Sequence, residues 1–485
     1  MIREIAYGLV FVVGVAVLAR SRSKAARHSV LLLGSYAVYL TWGKWFAAVL
    51  LLSTAINFLL GRWLRKKPSR LILSVGIFFN LALLVSFKYV PGIATNVSFS
   101  SLERFAHLAL PLGISFWTFQ AMSYLFDLYY GEDLDPSFFE FALYMVFFPV
   151  AISGPICRMP EMLPQFRAAR LTQSGDLLDG LSRIATGIFM MELARLLGQG
   201  ILSGDGIHSG FDRASRWTGP DVWCLAIGYG LQLFLDFAGY SHIAIGAART
   251  LGFTVSENFA RPFQSTSPSI FWTRWHMSLS FWIRDYVFLP LAVIRREVWW
   301  RNLVLVGAMV LFGVWHKATV LFVIWGCYHG VLLVLHRQVQ QLQRKFDWMP
   351  PERAWSLGSW AVTMGLVSLG WIFFRANSLS EARQMLSAVL APSTYSSHFL
   401  SASLYWLITS VAIGYGLVLW IAGAIQKHTE TAQNTAERSG SGLVSSMVRN
   451  RWFWVPPVYL LALLLILIVT HTRGADPAQF MYRNF

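Results

Sequence analysis

Charge is what this sequence lacks. Only 13% of its 485 residues are Asp, Glu, Lys or Arg, against about 25% in a typical soluble domain. That excludes the two or three soluble domains that the length alone would allow. Cysteine is nearly absent too. Cys157, Cys224 and Cys327 are the only three, too few for a disulfide framework. Cys224 and Cys327 lie in apolar stretches, where a free thiol packs as a small hydrophobe. No Cys/His spacing suits a metal, no Gly-rich loop cradles a phosphate and no Gly-x-Ser-x-Gly elbow occurs. No internal repeat is visible.

Apolar residues fill the space that charge leaves. They make up 55% of the chain, aromatics 15%, and the mean hydropathy is +0.51. This is the composition of an all-α polytopic membrane protein. The net charge is +16, but the basic residues fall in short runs between apolar segments. That is the pattern of cytoplasmic loops facing anionic lipid, not of a nucleic-acid surface.

Thirteen apolar segments recur: 5–19, 29–42, 45–60, 71–89, 107–128, 138–153, 180–202, 221–247, 302–316, 319–335, 357–374, 404–424 and 455–470. Several fall short of the roughly 20 residues of a straight span and suggest hairpins or broken helices. The first has its basic residues after it (Arg20, Arg22, Lys24, Arg27) and reads as a membrane helix, not a signal peptide. The basic runs 20–27, 62–70, 295–301, 336–353 and 427–451 are expected on the cytoplasmic side, which puts the N-terminus outside. Residues 427–451 read as a flexible cytoplasmic loop and 376–400 as a polar, partly helical outer loop. Counting spans from the N-terminus brings 221–247 out on the outer side, yet 295–301 belongs inside. The stretch 268–292 must therefore cross or re-enter, although it holds Arg274, His276, Arg284 and Asp285. Charges and irregular backbone at membrane depth require protein burial or a wet cavity.

Three constellations could carry chemistry. On one helix, Phe271–Leu289 would set Trp272, Trp275, Leu279, Trp282 and Tyr286 on one face, with Thr273, His276, Ser280 and Arg284 as a polar stripe on another. That pattern fits an interfacial helix with snorkelling arginines, and equally the lining of a site. In 302–330, His316 lies about fifteen residues from the cluster Arg295, Arg296 and Arg301, roughly 22 Å along a helix. A His-Lys pair at that depth faces a cavity or makes an interhelical hydrogen bond. His329, roughly 20 Å further on, reads as structural. In 234–246, Asp236 is a relay or site residue, or caps a neighbouring helix. Glu192 and Arg195 form an i,i+3 pair that neutralises itself. A neutral imidazole suits a general base acting on a hydroxyl, or a nucleophile accepting an acyl group.

At these residues the chain resembles the membrane-bound O-acyltransferase (MBOAT) family, in particular its bacterial branch that includes the alginate O-acetyltransferase membrane subunit. The resemblance is carried by GISFWTFQAMSYLFDLYYGE (113–132), FFPVAISGPICR (147–158), FLDFAGYSHIAIGAARTLGF (234–253) and ENFARPF (257–263). It continues in FWTRWHMSLSFWIRDYVFLPL (271–291), GVWHKAT (313–319), WGCYHG (325–330) and WIFFRA (371–376). It implies a single membrane domain over 1–485, a multi-helix bundle with re-entrant or amphipathic helices around a transmembrane tunnel. The family's acyl-transfer histidine corresponds to His316 and its second histidine to His276. Asp236, Tyr240, Trp275, Ser278, Arg284, Asp285, Trp315 and Lys317 are the candidate substrate-binding or tunnel-shaping residues. Where family members usually read Trp-His-Gly, this chain reads Trp315-His316-Lys317, so a cation that could engage an anionic group follows the histidine.

The function implied is transfer of an acetyl group from cytoplasmic acetyl-CoA toward a hydroxyl of an extracytoplasmic polysaccharide. Transfer is direct or through a periplasmic or surface acetyltransferase partner, at the bacterial inner membrane, with membrane lipid around it and no bound cofactor or metal. The alternatives are a D-alanyl transferase fed by a carrier protein and, from a different class, a non-catalytic transporter or translocation pore.

Overall fold

The computed structural model describes residues 2–91, 110–168, 170–201, 205–212, 216–347 and 352–435. Among them there are helices and no strand. The helices are α1 (Ile2–Arg20), α2 (Lys24–Leu40), α3 (Lys44–Lys66), α4 (Arg70–Lys88), α5 (Ile114–Tyr129) and α6 (Phe138–Val146). Then come α7 (Met159–Arg167), α8 (Ser174–Gln199), α9 (Ile207–Asp212), α10 (Gly219–Thr250), α11 (Pro268–Trp272) and α12 (Met277–Ile283). A π turn (Arg284–Phe288) leads into α13 (Leu289–Ala292), α14 (Val298–His316), α15 (Val320–Lys345), α16 (Glu352–Arg375), α17 (Leu379–Leu390) and α18 (Ala402–Thr435).

Seven described helices are long and apolar enough to cross a membrane: α3, α4, α10, α14, α15, residues 355–375 of α16 and residues 402–421 of α18. The segments 5–19 and 29–42 form α1 and α2 as expected, whereas others differ for visible reasons. The 138–153 segment is helical only to Val146 and then turns, because Pro149 disfavours the helical region for the residue before it. α5 is apolar but short, and nearly every residue of it is buried. α8 covers 180–202 in part but carries Asp176, Asp179, Arg183, Glu192 and Arg195. α18 continues to Thr435, into the stretch expected to be a loop. Residues 436–451 and the apolar segment 455–470 lie outside the described residues.

The chain folds as two compact units. The first comprises residues 1–184, 241–260 and 272–304, the second 185–240, 261–271 and 305–485. In the first, α1 pairs with α2, and α3 and α4 pack on α5. Polar side chains fasten this packing. Asn57 of α3 and Asn80 of α4, both fully buried, exchange amide hydrogen bonds at 3.2 and 2.7 Å. Such pairs hold apolar helices together where lipid provides no hydrophobic drive. Arg27, from the first basic run, is buried and donates to the Leu18 carbonyl at 3.0 Å, so it closes the end of α1 and does not face lipid. Glu140 starts α6 in a capping box with Ser137. Burial alone would raise its carboxyl, but Arg167, the Ser137 N–H and Lys24 outweigh that and hold it at about 2.

In the second unit, α14 and α15 approach at glycines. A Cβ on Gly326 would meet the Met309 carbonyl oxygen at 2.5 Å, and one on Gly313 the Phe322 carbonyl oxygen at 2.2 Å. Only glycine permits such close backbone contact. Buried Asp221 gathers the start of α10 and the 397–405 connection. It accepts from the Thr218 hydroxyl (2.6 Å), the N–H groups of Phe399 (2.9 Å) and Leu400 (3.2 Å), and the Tyr405 hydroxyl (2.7 Å).

The topology can be tested by itself. Single cysteines at Ser69, Arg301 and Ser396, in a background without the three native ones, should differ toward an impermeant thiol reagent on intact cells. Only Ser396→Cys should label; labelling of Arg301→Cys from outside would remove the need for a re-entering 268–292 stretch.

Candidate active site

The stretch that span counting singled out is not one helix. Residues 273–276 turn between α11 and α12, so the expected polar stripe of Thr273, His276, Ser280 and Arg284 does not form. His276 sits at the break with φ 42° and ψ 53°, the left-handed region that non-glycine residues rarely occupy. Such a conformation costs on the order of 1–3 kcal/mol and persists only when the surroundings enforce it.

Here Asn258, fully buried in the ENFARPF segment, is the enforcing residue. Its backbone carbonyl accepts the Met277 N–H at 2.8 Å, and its side-chain oxygen accepts the Ser278 hydroxyl at 2.6 Å. Its amide donates to Ser241 of α10 at 3.0 Å. A further backbone bond, Ala260 N–H to the Arg274 carbonyl at 3.0 Å, closes the strap around the turn. The 251–260 connection is itself tied down by a two-pronged ion pair between Arg183 and Glu257 (2.6 and 2.9 Å). The His276 imidazole is thereby held buried, 1% exposed. Beside it in sequence, Trp275 packs edge-on against Phe259, with ring centroids 5.2 Å apart.

Arg284 and Asp285 belong to the π turn and act as fasteners. Asp285 pairs with Arg158 at 2.7 Å and with Arg284 at 2.7 Å. Arg158 also lies over the Tyr286 ring, and the Tyr286 hydroxyl donates to buried Asp127 of α5 at 2.6 Å. Trp282 donates to the Phe119 carbonyl at 3.0 Å. The broken segment is thus anchored on both sides of His276.

In the second unit, α14 ends at His316. The imidazole is 6% exposed and ringed by aromatics. Phe312 stacks on it at 5.5 Å, and Trp315, Phe374, Trp325 and Phe322 surround it at 4.7, 5.1, 5.9 and 6.2 Å. Trp315 is buried with it, whereas Lys317 is exposed. The ammonium that follows the histidine therefore does not share its burial. Asp236 is buried and Tyr240 half-buried within α10. His329 is buried between Trp325 and Tyr328, consistent with a packing role, and the Glu192–Arg195 pair forms at 3.3 Å. Sequence reasoning missed Asn258, Arg158, Asp127 and Tyr286 as determinants. Asn258 was visible only as one polar residue inside a motif, with nothing to show that it would be buried.

Comparison of the sequence with known proteins gives the class of this polytopic helical chain. The MBOAT, membrane-bound O-acyltransferase family profile matches residues 100–376. The chain is 34% identical over 379 residues to a probable alginate O-acetylase AlgI of Pseudomonas syringae, covering 75% of this chain and 70% of that one. It is 31% identical to a peptidoglycan O-acetyltransferase of Helicobacter pylori (74% and 73%) and 32% identical to a teichoic acid D-alanyltransferase of Bacillus subtilis (54% and 68%). The chain belongs to the membrane-bound O-acyltransferase family and is an O-acyltransferase.

Two variants test the strap. Asn258→Ala leaves the Ser241 and Ser278 hydroxyls without their buried partner and should destabilise the protein by about 1–3 kcal/mol, read as a lower thermal midpoint in detergent. Glycine suits the left-handed turn, so His276→Gly should melt above His276→Ala by the equivalent of about 1 kcal/mol. The reverse order would show that the turn stores no strain.

Proposed function

We propose that the protein transfers an acetyl group from cytoplasmic acetyl-CoA toward a hydroxyl of an extracytoplasmic polysaccharide, at the bacterial inner membrane. Delivery to the polymer is direct or through a periplasmic or surface acetyltransferase partner. The observation that carries this reading is the buried His316 imidazole at the end of α14, enclosed by five aromatic rings.

A neutral imidazole in such a setting can take a proton where water cannot compete for it. In the reaction proposed, the acceptor hydroxyl loses its proton to His316 as its oxygen attacks the thioester carbonyl carbon. The C–S bond then breaks, and the proton passes to the departing sulfur. The products are an O-acetyl ester and free CoA thiol, and the histidine returns to its starting state. His276, with Trp275 and Ser278 beside it, is assigned to orienting the acceptor or stabilising the oxyanion. The aromatic lining suits an acyl-thioester arm, and the names of the relatives that match over most of the chain, O-acetylases and an O-acetyltransferase, favour acetyl over D-alanyl as the group moved.

Purified protein supplied with labelled acetyl-CoA and an acceptor provides the test. His316→Ala should lower CoA release by about 10²–10⁴-fold while the protein still inserts and folds. Near-native turnover in that variant would remove His316 from the chemistry. His276→Ala should depress acceptor-dependent turnover more than acceptor-independent thioester hydrolysis.

A further inference from the structure

A cleft of about 630 Å³ opens in the first unit, lined by residues with no place in the acyl-transfer chemistry. Three cations line it from three separate elements: Lys24 at the start of α2, Arg62 of α3 and Arg167 at the end of α7. Two carboxylates stand among them. Glu140 accepts from both Arg167 (Nε and Nη2, each 3.1 Å) and Lys24 (3.3 Å). Asp135 is taken by Arg65, and its backbone carbonyl by Arg167.

The charges do not close. Four cations (Lys24, Arg62, Arg65, Arg167) face two carboxylates (Asp135, Glu140), an excess of two. Arg62 is exposed and forms no ion pair among the described residues, and Nη1 of Arg167 has no hydrogen bond there either. A purely structural cluster needs neither the surplus guanidinium nor the cavity. The Arg62 guanidinium, without an ion pair among the described residues and beside a second arginine and a lysine on a concave space, matches an anion with several acceptor oxygens, for which phosphate is the common case. The volume is that of a small-molecule site. Phe58 and Phe138, edge to face at 5.4 Å, line the same cleft and give it an apolar wall for whatever carries the phosphate. Lys24 and Arg62 belong to the basic runs 20–27 and 62–70, so the cleft lies on the side where those runs emerge.

We propose that this cleft binds the phosphate group of an anionic ligand arriving from the basic-loop side. Two sources share that chemistry: the phosphorylated nucleotide end of the coenzyme donor and the headgroup of an anionic phospholipid. The first source rests on the acetyl-CoA reading above, and the second does not.

The experiment uses the full chain purified in an uncharged detergent, with two probes. Adenosine 3′,5′-bisphosphate is titrated by calorimetry, and phosphatidylglycerol in phosphatidylcholine nanodiscs is followed by retention of the labelled lipid. At least one probe should bind, more weakly as salt rises. Arg62→Ala should weaken that binding about tenfold, Arg62→Glu should weaken it further, and Arg62→Lys should restore most of it. Because Arg62 is exposed and without an ion pair, these variants should melt with the parent. Bisphosphate binding identifies the coenzyme as the source, and lipid retention without bisphosphate binding identifies the headgroup. Failure of both probes, or binding indifferent to Arg62→Ala and Arg62→Glu, overturns the proposal. CoA release by His316→Ala protein, measured beside the titration, keeps the two readings apart: if that variant still transfers acetyl groups, the assignment of His316 fails while the cleft result stands.

Discussion

Everything proposed for His276 depends on Asn258. A histidine at positive φ cannot hold its place by helix propensity, and the turn it occupies would relax if left alone. Asn258 prevents this with three bonds, to the Met277 N–H, the Ser278 hydroxyl and the Ser241 hydroxyl. All are buried, where an unmade bond costs more than a made one returns. The break between α11 and α12 is thus an enforced feature, and it turns a surface-type aromatic helix into a holder for one imidazole.

The same economy of polar groups runs through both units. With so little charge in the sequence, several buried polar side chains among the described residues serve as fasteners. Asn57 and Asn80 lock α3 to α4. Asp127, Tyr286, Arg158 and Asp285 anchor the π turn. Asp221 gathers the start of α10 with the 397–405 connection. Apolar helices in lipid gain little from burying apolar surface against each other. Hydrogen bonds and glycine contacts such as those of Gly313 and Gly326 therefore specify which helix meets which. The cleft around Arg62 departs from this rule, since its cations outnumber their partners.

Much of the fold was legible in the sequence because hydropathy reports spans directly. The segments 45–60, 71–89, 221–247, 302–316, 319–335, 357–374 and 404–424 all correspond to apolar helices. Legibility failed where local chemistry overrode hydropathy. Pro149 ended the 138–153 segment as a short helix and a turn, and five charges made α8 something other than an apolar span. Of the two candidate histidines, His316 stood out as an ionisable residue far from any basic loop, and His276 through the span-count conflict. The aromatic periodicity around His276 pointed to a continuous helix, however. Periodicity carries no information on a single left-handed residue, and none on an asparagine whose partners lie twenty residues ahead and seventeen behind. Arg27 was read as lipid-facing because charge pattern alone cannot show that a guanidinium closes a helix end.

The central claim is that Asn258 serves the reaction only by holding His276. A double-mutant cycle on acceptor-dependent CoA release tests it, with the parent, Asn258→Ala, His276→Ala and the double variant compared at equal folded amounts. If the claim is right, Asn258→Ala slows the parent enzyme but costs almost nothing further once His276 is alanine. Two costs that simply add, within about 0.3–0.5 kcal/mol, would contradict it.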